Sequence, residues 1–168
     1  FEIVVPISAL EPSPLMAVPY TTEERLKQLS DSAHRGIHLP TPVVRPKDGG
    51  FEVLTNWDRV TIERDINDSQ DEGKMRVINA NYTDQQALKL AIVEQSKALG
   101  LGWINLAEAL ANAKTLLGWT DTAIAQATGI TRTKVARHIK IAKKLHHDFL
   151  QMARTGRLKY DHCRRLVN

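Results

Sequence analysis

Residues 121–140 of the chain read "DTAIAQATGITRTKVARHIK", and this stretch decides the fold of the C-terminal part. Two helices that cross steeply on a short turn need a small residue where they approach, a glycine in the turn and apolar residues facing a shared core. The small residue, the glycine and the three apolar residues are Ala125, Gly129, Ile124, Ile130 and Val135. Their spacing is that of a helix-turn-helix motif, which we place at residues 121–145.

The second helix of this motif would carry basic residues on the side away from its core. Val135, Ile139 and Ala142 are spaced by four and three residues and share the apolar face. Residues 128–144 contain six Lys and Arg, one His and no acidic residue, whereas a helix that is only solvated usually alternates its charges. The pattern therefore favours a helix that binds DNA, and a merely solvated basic face is the alternative.

The predicted DNA-binding residues follow from this geometry, because the first residues of a recognition helix reach base edges. Four residues are assigned to base edges or nearby phosphates: Arg132, Thr133, Lys134 and Arg137. Three later lysines would contact the phosphate backbone only, namely Lys140, Lys143 and Lys144. Thr131 would cap the helix, whose N-terminal N–H groups would then face a phosphate.

The charge of the chain is divided between its two ends. Residues 1–121 hold 12 Lys and Arg against 17 Asp and Glu, and residues 122–168 hold 11 against 2. This asymmetry indicates that the C-terminal part meets a polyanion. No apolar run approaches the roughly 18 residues of a membrane span, and no signal peptide is recognisable. We therefore expect a cytoplasmic protein that makes no membrane contact.

The sequence shows no arrangement of residues that is typical of a catalytic or metal-binding site. Cys163 is the only cysteine, so it has no partner for an internal disulfide or a metal site. His146 and His147 are adjacent and cannot share one helix face. We find neither a phosphate loop nor a nucleophile next to a base. We therefore predict no catalytic residue and no metal site.

Before residue 100 the sequence mixes strands and helices. The β-branched run in "FEIVVPISAL" predicts a strand, "TPVVR" and "GGFEVLT" predict a hairpin, and "MRVINANY" predicts a further strand. Two capping boxes, Thr21 with Glu24 and Thr83 with Gln86, each open a helix. After residue 100 the pattern predicts helices only. We therefore place a domain boundary near residue 100, between domains at 1–100 and 101–168.

With these segments in order, the sequence resembles the ParB family of plasmid and chromosome partition proteins over nearly all of its 168 residues. The resemblance is carried by "VPISALEPSP", "LKQLSDSAHRGIHLPTPVVR", "FEVLTNWDR", the helices that end in the helix-turn-helix, and "FLQMARTGRLKYDHCRRLV". It implies an α+β protein, in which a small mixed-sheet ParB/sulfiredoxin-like N-terminal domain precedes an all-α DNA-binding domain. Sulfiredoxin-like enzymes need a reactive cysteine early in the chain, which this sequence lacks.

The same resemblance implies partners. It implies binding of double-stranded DNA at a centromere-like site, a ParA-type partner ATPase and a homodimer formed through a separate C-terminal domain. Since the chain starts at Phe1 and stops at Asn168 within a helical pattern, we expect a fragment from which that domain is missing. The expected location is the bacterial cytoplasm, on the nucleoid or a plasmid.

Many ParB proteins bind and hydrolyse CTP, but here the sequence departs from the family pattern. The Gly-Glu-Arg-Arg box is replaced by Asn56, Trp57, Asp58 and Arg59. The Glu-Asn motif is reduced to Glu94 followed by glutamine, with Lys97 as the next basic residue, and the loop "LMAVPYTTEE" lacks the usual arginine. We therefore expect no cofactor and no enzymatic activity. If CTP with Mg²⁺ is bound, the residues implied are Arg59, Glu94 and Lys97.

Three hypotheses follow. The first is a sequence-specific DNA-binding protein of the ParB type that acts in plasmid or chromosome partition or in regulation of a mobile element. The second is a DNA clamp that binds and hydrolyses CTP. The third is an adaptor whose N-terminal domain serves protein contacts.

Overall fold

The computed structural model of the chain describes residues 1–15, 23–67, 73–97 and 102–167, without the side chains of residues 25, 94–97 and 102. Within these limits the chain forms two compact units. The first consists of the described residues in 1–13 and 23–82, and the second of residues 14–15 and the described residues in 83–167. The first unit contains strands and helices, whereas the second is helical.

A mixed β-sheet forms the centre of the first unit. Its described strands are β1 (Glu2–Pro6), β2 (Leu10–Pro12), β3 (Val43–Lys47), β4 (Gly50–Val53) and β5 (Lys74–Asn79). They lie in the order β1-β5-β3-β4-β2. The pairs β1–β5 and β3–β4 are antiparallel, whereas β2–β4 and β3–β5 are parallel. The four predicted strands are confirmed as β1, β3, β4 and β5, and the short β2 is an addition that its sequence did not indicate.

The predicted hairpin between β3 and β4 is confirmed. Val44 lies opposite Val53 in the antiparallel register, and both side chains are fully buried. In the turn, Asp48 and Gly49 have φ values of 41° and 86°, the left-handed conformations that a two-residue hairpin turn requires. The turn therefore sets the register that directs the valines into the core.

The sheet packs its apolar side against a helix. The helices of the first unit are α1 (Glu23–His34) and α2 (Trp57–Asn67). Val60 of α2 is buried in one cluster with residues from β1, β3, β4 and β5. On β5, Met75 and Val77 are buried whereas Lys74 and Arg76 are exposed, as the alternation of a half-buried strand requires. Thr21, the predicted cap of α1, lies outside the described residues.

Glu52 of β4 places a carboxylate inside the first unit, where its side chain is 1% exposed. Arg45 of β3 donates to both carboxylate oxygens, from Nε at 2.9 Å and from a terminal nitrogen at 3.2 Å. The Ser13 hydroxyl donates to the same carboxylate. Because a buried charge is costly unless it is paired and hydrogen-bonded, this network tolerates Glu52 in the core and ties β3 to β4.

As far as the structure describes it, the second unit is built from six helices. They are α3 (Asp84–Lys97), α4 (Gly102–Leu116), α5 (Asp121–Thr128), α6 (Arg132–Lys144), α7 (His147–Arg154) and α8 (Tyr160–Leu166). The predicted capping box of α3 is confirmed, because Thr83 N donates to Gln86 Oε1 at 2.9 Å and Gln86 N to Thr83 Oγ1 at 3.3 Å. None of the helices in the described segments is long and apolar enough to cross a membrane.

The core of the second unit explains where this unit begins. Leu88 and Ile92 of α3 are buried in one cluster with Leu110 of α4 and Val135 of α6. Apart from residues 14–15, which also belong to this unit, the helical unit therefore begins at Thr83, whereas the change of sequence pattern places the boundary near residue 100. The physical reason is that α3 buries its apolar face against the other helices, which sequence periodicity alone does not specify.

Candidate nucleic-acid interface

Helices α5 and α6 form a helix-turn-helix joined by a turn from Gly129 to Thr131. Gly129 follows the last residue of α5 with φ 74° and ψ 6°. Its N–H donates to Ala125 O at 2.9 Å, which satisfies a carbonyl at the end of the helix. The left-handed conformation is the one that glycine adopts without penalty, so the predicted role of Gly129 is confirmed.

The apolar residues predicted for the motif do form its core. Ile124 and Val135 are fully buried, and Ile139 is 5% exposed. Ala125 and Ile130 are partly buried and pack against the same cluster. Burying an aliphatic side chain stabilises a fold by about 1.5–3 kcal/mol, so this cluster fixes α6 against α4 and α5.

The two helices are capped differently at their N-termini. Thr120 Oγ1 accepts a hydrogen bond from Ala123 N at 3.1 Å and so caps α5. Thr131 has the extended backbone of an N-cap, and its carbonyl accepts from Val135 N at 3.0 Å, but its side chain makes no capping hydrogen bond. The predicted side-chain cap at Thr131 is therefore wrong in this respect.

The predicted DNA-binding residues lie along the solvent side of α6. Most of them are exposed: Thr131, Arg132, Thr133, Lys134, Arg137, Lys143 and Lys144. Lys140 is half-buried. Since α6 has 13 residues, it is about 20 Å long, long enough to place its first turns in a major groove and its last turn at the backbone.

The basic side chains of α6 are available for an anion. In the described part of the chain, no carboxylate lies within ion-pair distance of the six Lys and Arg residues of this helix. Carboxylates elsewhere in the second unit are paired, such as Asp121 with Lys114 at 2.6 Å. The surface of α6 therefore keeps an uncompensated positive charge.

His138 is the buried polar residue of α6. Its side chain is 3% exposed, its Nδ1–H donates to Lys134 O at 2.8 Å, and its ring stacks on Tyr160 of α8 with centroids 5.0 Å apart. Burial lowers the pKa of the imidazole, and the charges of Lys134 and Arg137 lower the pKa further, while the hydrogen bond opposes this shift. His138 is therefore a neutral packing residue that joins α6 to α8.

The segment that replaces the Gly-Glu-Arg-Arg box lies before and at the start of α2. Asn56 has φ 56°, so it keeps the left-handed conformation that favours glycine. Its Nδ2 donates to Thr41 O at 3.4 Å and to Thr55 Oγ1 at 3.2 Å. Position 56 thus has a backbone conformation that favours glycine, although the residue there is asparagine.

The side chains of this segment do not fit a triphosphate. Arg59 donates to Leu39 O at 2.7 Å, and its Nε lies 3.7 Å from Glu63 Oε1, so its guanidinium serves the fold of the first unit. Asp58 brings a negative charge to the first turn of α2, where it would repel a phosphate. The backbone of Glu94 and Lys97 belongs to α3, but their side chains lie outside the described residues.

Cys163 has a packing role, and the described residues offer no metal site. Cys163 is fully buried, and burial raises the pKa of its thiol, which disfavours the reactive thiolate. Among the residues that the structure describes, no group of three or more His, Cys, Asp or Glu side chains could hold a metal ion.

Two features of the interface were missed from the sequence. Thr120 as the cap of α5 was recognisable, because a threonine directly before a helical pattern is a preferred N-cap. The contact between His138 and Tyr160 carried no signal, because it joins two helices across 22 positions of sequence and depends on their packing.

Fold and site together define the class. The chain is a helix-turn-helix protein of the α+β class, with a mixed-sheet unit before the helical one. Residues 100–168 match the family model of the ParB HTH domain. This match confirms the ParB-type helix-turn-helix domain that the sequence resemblance indicated.

Known proteins agree with this assignment. The chain is 27% identical over 165 residues to the chromosome-partitioning protein Spo0J of Thermus thermophilus. The matched region covers 97% of this chain and 58% of that protein. The chain thus spans less than two thirds of the length of this relative.

Two solved structures share the fold. One is the C-terminally truncated chromosome-partitioning protein ParB from Caulobacter crescentus complexed to the centromeric parS site. The TM-score is 0.51 at 21% identity, and the match covers 98% of this chain and 84% of that chain. The other is a Pnob8-like ParB-N domain, with a TM-score of 0.52, 11% identity, and coverage of 99% and 78%. The predicted α+β fold is confirmed.

Proposed function

We propose that the chain is a sequence-specific double-stranded DNA-binding protein of the ParB type, which reads its site through α6. Its role would be plasmid or chromosome partition, or regulation of a mobile element. The observation that carries this proposal is the outer face of α6. Its Lys and Arg residues are mostly exposed and have no carboxylate partner in the described part of the chain, and the helix that carries them is fixed by a buried core.

The division of labour along α6 follows from its geometry. Arg132, Lys134 and Arg137 lie in the first two turns of α6. In a docked recognition helix these turns lie in the major groove and contact base edges. Lys143 and Lys144 lie in the last turn, where they contribute affinity for the backbone but no base discrimination. Specificity would therefore come from the start of the helix.

The relatives support the biological setting. The Thermus protein is named for chromosome partitioning, and the Caulobacter structure holds a centromeric site. By analogy we propose a centromere-like duplex as target, a ParA-type ATPase as partner, homodimerisation through a further C-terminal domain, and a location on the bacterial nucleoid or a plasmid.

Selection of bound duplexes from a random pool tests the proposal. We expect one enriched motif, palindromic if two copies bind together, because protein two-fold symmetry is mirrored in half-sites. Absence of any enriched motif would contradict sequence-specific binding and favour non-specific binding of DNA.

Single substitutions then locate the specificity. Arg132→Ala and Lys134→Ala should each cost about 1–3 kcal/mol at one or two base pairs and relax the preference there. Lys144→Ala should weaken binding to all duplexes equally. All three side chains are exposed, so the midpoint of thermal unfolding should not change. If Arg132→Ala and Lys134→Ala bound the selected site like wild type, α6 would not be the recognition helix.

A further inference from the structure

The turn between α7 and α8 has a defined conformation. Gly156 has φ 76°, and its N–H donates to Ala153 O at 3.1 Å. Leu158 N donates to Met152 O at 3.1 Å, and Lys159 is extended, with φ −83° and ψ 159°. These hydrogen bonds tie the turn to the end of α7.

Within this turn the side chains alternate between core and solvent. Leu158 packs against the buried cluster that contains Ile104 and Cys163. Its neighbours Arg157 and Lys159 are exposed. Leu158 therefore anchors the turn in the core, while both cations face solvent.

The next residue brings the turn against the recognition helix. The ring of Tyr160 stacks on His138 in the middle of α6, and it also meets Trp103 of α4 edge-on with centroids 5.4 Å apart. His138 lies one helical turn after Lys134, to whose carbonyl it donates. Tyr160, the residue after Lys159, therefore holds the end of this turn against the middle of α6.

The charge of this turn is not compensated by neighbouring acids. In the described part of the chain, neither Arg157 nor Lys159 lies within ion-pair distance of a carboxylate. Asp161 of α8 is paired with Arg164 at 3.6 Å, and Glu108 of α4 is paired with Arg154. Like α6, the turn thus carries positive charge that no described carboxylate compensates.

We propose that the α7–α8 turn is a second phosphate-contacting element, in which Arg157 and Lys159 bind the backbone of the same duplex that α6 reads. This inference rests on the proposed function. The two cations would add affinity for any duplex and no base discrimination, because phosphates carry no sequence information.

Salt dependence of DNA binding tests the proposal. Each phosphate contact contributes about 0.9 to the slope of log affinity against log salt, which amounts to about eightfold in affinity at 0.1 M salt relative to 1 M. Replacing both Arg157 and Lys159 by alanine should therefore reduce the slope by about 1.8 for selected and scrambled duplexes alike. The ratio of the two affinities should stay at the wild-type value.

Matched variants separate charge from structure. Arg157→Lys together with Lys159→Arg should retain the wild-type slope. Lys89→Ala removes an exposed cation from α3 and should also leave the slope unchanged. Failure of wild type to bind any duplex would overturn the proposed function itself. Wild-type binding with an unchanged slope in the double alanine variant, or with a lowered affinity ratio, would overturn only the role of the turn.

Discussion

Replacement of Gly129 by alanine probes the turn of the helix-turn-helix most directly. Gly129 has φ 74°, and a Cβ added there would meet no heavy atom within 4 Å. The substitution therefore creates no clash with neighbouring groups. Its whole cost lies in holding an L-residue in the left-handed conformation, which is about 1–2 kcal/mol.

The net loss is smaller than this penalty. Alanine also reduces the conformational entropy of the unfolded chain, which offsets about 0.4–1 kcal/mol. We therefore expect Gly129→Ala to lower the free energy of unfolding of the helical unit by about 1 kcal/mol. Gly129→Asn should lose less, because asparagine tolerates the left-handed conformation.

Urea unfolding followed by tryptophan fluorescence measures this loss. In a Trp57→Phe background the remaining indoles, Trp103 and Trp119, both belong to the helical unit. Gly118 has φ 65° and equally open space at its Cβ position, so Gly118→Ala should cost a similar amount. An unchanged stability of Gly129→Ala, or a larger loss for Gly129→Asn than for Gly129→Ala, would refute the backbone argument.

Three further predictions concern the caps, the buried histidine and the nucleotide. Thr120→Ala should cost about 1 kcal/mol in urea unfolding, because its hydroxyl caps α5, whereas Thr131→Ala should cost only a few tenths; equal losses would contradict the capping assignment. The unfolded imidazole of His138 titrates near pH 6.5, and burial lowers its pKa in the folded state. Its contribution to stability is therefore complete above about pH 6.5 and is lost as the pH falls toward the folded pKa; His138→Gln should flatten the pH profile of unfolding, and an unaltered profile would exclude this role. Calorimetric titration with CTP and Mg²⁺, with and without DNA, should show no binding to wild type. The double variant Asn56→Gly with Asp58→Arg should bind CTP better than wild type. Tight binding to wild type would show that the altered box still functions.

Local features of the site could be predicted because they depend on few neighbouring residues. A left-handed glycine at Gly129 and apolar positions at Ile124 and Val135 are requirements of a short helical turn, and the structure contains all three. The capping box at Thr83 was equally legible, since its hydrogen bonds span only three residues. The cap position of Thr131 could be predicted too, but not that its side chain makes no capping hydrogen bond.

Long-range features could not be predicted, because side chains far apart in sequence meet only through packing. Leu88 marks α3 as apolar, yet its burial with Leu110 and Val135 decides that α3 belongs to the helical unit. Likewise, the sequence suggested Arg59 as a residue that would hold a nucleotide. The fold instead directs Arg59 to Leu39 O.

The sequence by itself determined the helix-turn-helix, the hairpin, the basic face of α6 and the resemblance to the ParB family, because periodicity, turn residues and the order of motifs are local properties of the chain. Only the tertiary structure decided that α3 joins the helical unit, that a neutral His138 packs on Tyr160, and that Arg157 and Lys159 are exposed in the turn before Tyr160. These depend on how buried surfaces fit together, and that fit is a property of the packed molecule and of no single segment.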